Sequence, residues 1–335
     1  MQQIKSKAFI SDNFLLNSKE AETLYHEYAK KMPIIDYHNH LSPQQIAEDL
    51  PIGNITDAWL NGDHYKWRGM RANGIEEKFI TGDSTKEEKF NKWAETVPYT
   101  LRNPLFHWTH LELKRYFDIE TILQPGTATA IYKEANAILA SKTPAQLLEQ
   151  MNVEVICTTD DPTDDLEHHK AIASKNFFTK VLPTFRPDAL ILIENESFPN
   201  YIDKLATCVG FSIGNLNELT KAIQSRIEFF NQHGCRLSDY GLEQIYAYDF
   251  TEAEVDAIFK KRLAGEEITS DEANVFASCI LFKLCKMYHA KGWVQQFHLG
   301  ALRNNNSRLL KEIGADSGCD SIGDFTQAEP MSKLF

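Results

Sequence analysis

The sequence predicts an α/β fold of parallel βα units interrupted by a helical insertion, and two patterns carry that prediction. Five apolar, β-branched runs alternate with long helical patterns, the order expected when each strand is followed by a crossover helix. The first two runs lie about a hundred residues apart, far more than one crossover needs, so a subdomain is expected between them.

The candidate strands are Pro33 to Tyr37, Val153 to Thr158, Val181 to Phe185, Cys235 to Ser238 and Trp293 to His298. Helix starts between them are marked by Thr143, Pro144 and Gln146, by Thr251 with Glu254, and by Thr269 with Glu272, all at capping-box spacing. Gly234 and Gly292 each follow a helical pattern and precede a strand, which suits a left-handed helix exit. In the insertion, helical patterns at Lys86 to Glu95, Pro104 to Phe117 and Thr127 to Ala140 carry Trp93, Phe106, Trp108, Tyr116 and Phe117, read as core packing. The expected organisation is an N-terminal segment with the first strand over 1–43, a helical insertion over 44–150, and a continuation of the barrel over 151–335. Only 37 residues follow His298, too few for three more βα units, so the chain is expected either to be incomplete or not to form an eight-stranded barrel.

Composition narrows the function classes. The 335 residues are 43% hydrophobic and carry a net charge of −12, which supports a sizeable core and argues against general attraction to nucleic acid phosphate. No apolar run approaches the roughly 20 residues that span a bilayer, and Met1 to Ser18 lacks the apolar core of a secretory signal. Six scattered cysteines without a Cys-x-x-Cys pair fit free thiols in a reducing compartment. A cytoplasmic protein is expected, with no membrane or nucleic acid partner and with homo-oligomerisation left open.

The chemistry gathers at strand ends. Asp36-Tyr37-His38-Asn39-His40-Leu41 places two histidines two residues apart after an apolar strand start, so both imidazoles face one side and could share a divalent cation. Trp293 to His298 is a second apolar run ending in histidine, and His298 could join the pair at the C-terminal face of a barrel. Asn61 to Gly69 reads as a polar, aromatic and basic loop, in which Tyr65 can transfer a hydroxyl proton and His64, Lys66 and Arg68 can face a carboxylate. Arg186 can contact a carboxylate at two points, and Asp239 can act as base or acceptor. Taken singly, each has a plain structural explanation: a satisfied histidine, a surface loop, an ion pair. Asp161, Asp164 and Asp165 read as turn and helix-start chemistry and receive no catalytic role.

Together, Asp36 to Leu41, Gly62 to Arg68, Asn103-Pro104-Leu105 with Trp108 to Leu113, Phe185 to Asp188 and Gly300 to Asn306 resemble the uronate isomerases. The match runs from near the N-terminus to the end. It implies a (β/α)8 TIM barrel of the metal-dependent hydrolase type, in the amidohydrolase superfamily, that interconverts D-glucuronate with D-fructuronate and D-galacturonate with D-tagaturonate. By the same resemblance, His38, His40 and His298 match metal ligands, Tyr65, Asp239 and His298 match catalytic positions, and His64, Arg186 and Arg303 match contacts to a small-molecule hexuronate. A divalent metal, zinc before others, is the expected cofactor, with no organic one. Family members are longer, and their last strands supply a metal-binding aspartate that serves as the proton-transfer base. Ending at Phe335, the chain is therefore expected to be truncated and of uncertain activity alone. Two other readings compete: a metal-dependent hydrolase of the same superfamily, since the histidines would equally activate water, and an inactive fragment of the isomerase.

Overall fold

The computed structural model describes residues 9–335, and the chain divides into two compact units. Among the described residues the first comprises 9–35, Glu48–Glu154 and Asn304–Asp320; the second comprises Asp36–Ala47, Val155–Arg303 and Ser321–Phe335.

The first unit is helical, and its sequence explains why. Thr85 opens the helix Lys86–Thr96 through a complete capping box with Glu88, and Asn103 caps Pro104–Phe117 with Pro104 in the first turn. A third helix, Ala128–Leu139, follows. Their apolar sides meet around Phe90, Trp93, Leu113, Ile131 and Leu139, joined by Trp59 and Met70. Of the aromatics expected in this core, Trp93, Phe106 and Phe117 are buried, but Trp108 is 54% exposed. Trp108 falls between the buried positions Leu105, Phe106, Thr109 and His110 of its helix, so the helical period turns it away from the core.

The second unit carries the parallel strands. Strand β1 (Ile34–Asp36) enters it at Asp36. Strands β2 (Val153–Cys157) and β3 (Lys180–Leu182) run parallel, Val155 opposite Lys180 and Cys157 opposite Leu182. The expected strand to Phe185 breaks early on the β2 side because Thr184 N–H donates to the Asp160 carboxylate in place of a backbone carbonyl. The ladder resumes at Phe185, which bridges in parallel to both Asp160 and Ser238. Strand β4 (Leu237–Tyr240) pairs in parallel with β5 (Val294–Phe297), from Leu237 opposite Val294 to Tyr240 opposite Phe297.

Strand β4 begins two residues later than expected. The N–H of Cys235 is still occupied closing the preceding helix onto Phe230 O, at 3.0 Å, so pairing starts further on and takes in Asp239. The short antiparallel pair β6 (Ala301–Leu302) and β7 (Ser321–Ile322) was not expected at all; two residues carry no period to read.

Long helices cover this unit. Ser270–Lys291 has a full capping box at Thr269 and Glu272 and ends at Gly292, φ +67°, the left-handed exit its glycine predicts. At Thr251 only half of the expected box forms, the hydroxyl accepting Glu254 N–H. The helix Leu216–Gln232 packs Phe230 edge-on to Phe185, and Tyr288 stacks on Trp293 at 5.4 Å. Among the described residues no helix is long and apolar enough to cross a membrane.

A buried polar knot ties β2 to β3. Thr158 Oγ1 donates to Asp160 Oδ2 at 2.7 Å and sits 2.8 Å from His169 Nε2, while Thr184 N–H donates to the same carboxylate oxygen. Burial pushes the Asp160 carboxyl up to about 7 and the His169 imidazole down to about 4. Stability from the raised Asp160 is full below the unfolded value of 3.8 and is lost as pH rises through about 7. Stability from the depressed His169 is full above 6.5 and is lost as pH falls through about 4. The two slopes oppose, so the wild-type pair is expected to be nearly pH-indifferent between about 4.5 and 6.5. In Asp160→Asn, relative to wild type, stability is expected to rise with pH by up to roughly 1.4 kcal/mol per unit, and in His169→Gln to fall with pH. Urea unfolding midpoints across that window measure this; parallel profiles for all three proteins would contradict it.

Candidate active site

At the C-terminal ends of the second unit's strands, one carboxylate gathers three partners. Asp239 lies on β4 with no exposed surface. His298 Nδ1–H donates to its Oδ1 at 2.6 Å, and Arg186 Nη1 donates to its Oδ2 at 2.9 Å. His38 Nδ1 stands 3.8 Å from Oδ2. Backbone register produces the arrangement: Asp239 N–H donates to Phe185 O, and His298 N–H extends the β4–β5 ladder by donating to Tyr240 O at 2.8 Å.

The His-x-His segment is held in place by its neighbours. Gln296 Nε2 donates to Tyr37 O, and Thr159 Oγ1 donates to Asn39 O, both at 2.9 Å. Asn39 braces the turn from inside, donating to Asp36 Oδ2 and accepting Leu41 N–H. The His38 ring therefore lies 4.3 Å from that of His298, centre to centre, and His40 meets His38 edge-on at 4.9 Å. Burial lowers the pKa of His38, against the pull of Asp239, and burial followed by the neighbouring His38 lowers that of His40. Both imidazoles thus favour the neutral form that a metal requires.

The donor set fits a divalent cation. One ligand atom each from His38, Asp239 and His298 lie within 4.8 Å of one another, and two imidazole nitrogens with a carboxylate oxygen suit zinc or a similar ion.

The remaining expected residues belong to other elements. The stretch read as a polar loop is mostly helix: His64–Ala72 is helical, with Asp63 as its N-cap accepting Tyr65 and Lys66 N–H. His64 stacks on Trp67, and Tyr65 is 70% exposed; both belong to the first unit. Arg303 is exposed directly after β6. Asp161 accepts the N–H and hydroxyl of Thr163, as the turn reading holds. Three residues went unassigned in the sequence. Gln296 and Thr159 carry no signal beyond lying at or beside a strand end, whereas Asp188, 2.9 Å from Arg186 Nε, is an acid two residues from a basic candidate.

Histidines, an aspartate and an arginine converging where parallel strands end define an enzyme of the β/α-barrel class. Comparison with known proteins settles which. The sequence profile of glucuronate isomerases matches residues 6–335. A uronate isomerase of Flavobacterium johnsoniae is 53% identical over 99% of this chain and 71% of its own, and one of Bacteroides thetaiotaomicron is 51% identical over 98% and 71%. The crystal structure of a uronate isomerase from Thermotoga maritima superposes with a TM-score of 0.94 at 35% identity, covering 97% of this chain and 72% of that one. The chain belongs to the glucuronate isomerase family. It has that family's TIM-barrel fold and spans about 70% of the length of the curated relatives it matches. The isomerase reading holds over the hydrolase one.

Zinc titration against a chromophoric chelator tests the metal assignment. His38→Ala and His298→Ala are each expected to weaken binding by more than the roughly 10- to 100-fold that loss of an outer-shell partner costs; affinities equal to wild type would contradict it.

Proposed function

We propose that the chain isomerises D-glucuronate to D-fructuronate and D-galacturonate to D-tagaturonate, with the cluster around Asp239 as part of its catalytic machinery. Convergence of His38, Asp239, His298 and Arg186 at the strand ends is the observation that carries this reading. Moving a proton between adjacent carbons through a cis-enediol needs a base and groups that stabilise developing oxyanion charge.

His298 donates its Nδ1–H to Asp239 in a hydrogen bond, so a neutral imidazole held this way presents the Nε2 lone pair to a metal ion or to a sugar hydroxyl proton. Asp239 orients that ring and takes part in opening the pyranose. Arg186 offers a guanidinium to the uronate carboxylate, which reconciles an acidic protein with an acidic substrate. Arg303 and His64 have the same assignment and Tyr65 that of proton transfer, on the strength of the motifs in which they lie. His38 and His298 would hold the metal together with Asp239 from the same cluster, with His40 added on the strength of its motif, and two or more imidazoles with a carboxylate suit zinc. When bound, it supplies Lewis-acid stabilisation of an oxygen on the substrate. Cytoplasmic work is supported by six unpaired cysteines.

Ketose formation from D-glucuronate by the purified chain, with zinc or manganese added, tests the proposal. Turnover is expected and should drop by about 100-fold or more in His38→Ala, and by about 100- to 10,000-fold in Asp239→Asn. No ketose from the folded wild-type chain, or equal turnover in the variants, would contradict it.

A further inference from the structure

Arg186 is shared between two acids. Its Nη1 holds Asp239 Oδ2, and its Nε donates to Asp188 Oδ2, both at 2.9 Å. Asp188 is itself fastened. Both of its oxygens accept the N–H of Gly241, at 3.2 and 3.1 Å, and Gly241 is the residue immediately after β4. The strand that carries Asp239 therefore also anchors the acid that orients Asp239's arginine, and the contacts close a ring from Asp239 through Arg186 and Asp188 to Gly241.

Two features separate this ring from ordinary helix capping or surface ion pairing. Asp188 begins the short helix Asp188–Ile191, whose N-terminus receives no side-chain cap; the carboxylate reaches across to β4 instead. Gly241 is not required by its backbone angles. Space requires it: a Cβ there would overlap Arg186 Nη2 and come within 3.1 Å of Asp188 Oδ2. The guanidinium packs against the glycine, where a Cβ would displace it.

We propose that Asp188 and Gly241 are positioning residues for the isomerase reaction, which fix the Arg186 guanidinium against Asp239. An arginine held only at Nη1 can swing about its long side chain; held also at Nε, it is fixed in plane and direction. Three of its five N–H donors remain for a carboxylate of the substrate, presented in one orientation. Burial raises the pKa of Asp188 although Arg186 beside it lowers it, as expected for an acid kept by its partners in a poorly hydrated place.

The kinetic arm of the test rests on the isomerase reading; the spectroscopic arm does not. In the full chain with metal and D-glucuronate, Asp188→Asn and Gly241→Ala are each expected to lower kcat/KM by about 10- to 100-fold, with most of the loss in kcat. The double variant should be no worse than the poorer single one within about threefold, because both act on one guanidinium. Asp188→Glu should recover part of the loss. A purely structural tie would lower the thermal midpoint while leaving kcat and KM of the folded fraction unchanged, and that result, or multiplicative losses, would overturn the proposal. Independently, arginine-selective 15N NMR, with Arg186 assigned through Arg186→Lys, should show separate, slowly exchanging Hη resonances in wild type that merge in Asp188→Asn. Merged resonances in wild type would overturn the proposal whatever the turnover. Separate resonances that merge on substitution, in a folded chain without turnover, would uphold the fixed guanidinium and count against the isomerase reading.

Discussion

A carboxylate with no exposure to solvent is costly unless its oxygens find donors, and each oxygen of Asp239 finds one only if several strands are in register. Arg186 arrives from beyond β3, His298 from the end of β5 and His38 from beyond β1, each through a contact already fixed by backbone pairing or by a brace such as Gln296. Side chains along β4 alternate, with Ser238 and Tyr240 on the face opposite Asp239 and Tyr240 packed beside Tyr288. A slip of one residue would bury Asp239 among aromatics and bring a tyrosine to the site. Fold and site therefore depend on the same register.

The organisation of the chain was largely legible because its elements are long and bounded by explicit signals. The helix Pro104–Phe117 lies where its proline and period put it, and β2 ends one residue short of expectation. His38 and His298 could be paired from sequence because each closes an apolar run, and strand ends are where barrel chemistry gathers. Family resemblance turned those weak local signals into an assignment, since five motifs in fixed order are much more specific than one His-x-His.

What escaped the sequence has physical causes. The stretch around Tyr65 looked like a loop because its composition is polar, yet Asp63 is an N-cap and the residues after it tolerate a helix. Strand β4 started late because the preceding helix claims the Cys235 amide. The tie from Asp188 to Gly241 joins residues 53 apart through backbone and carboxylate, and no periodicity reports such a contact. Gly241 drew no assignment from the sequence; only the guanidinium packed against it shows that room, rather than backbone freedom, is what it supplies.

The central claim is that the two oxygens of Asp239 hold His298 and Arg186 where they work, and the structure of Asp239→Asn tests it most directly. Asparagine keeps the shape but offers one acceptor oxygen, with an NH2 facing the second donor. A crystal structure of that variant should show either the His298 ring or the Arg186 guanidinium displaced from its wild-type contact. Both groups unmoved, at their original distances, would mean that other contacts hold them and would contradict the account.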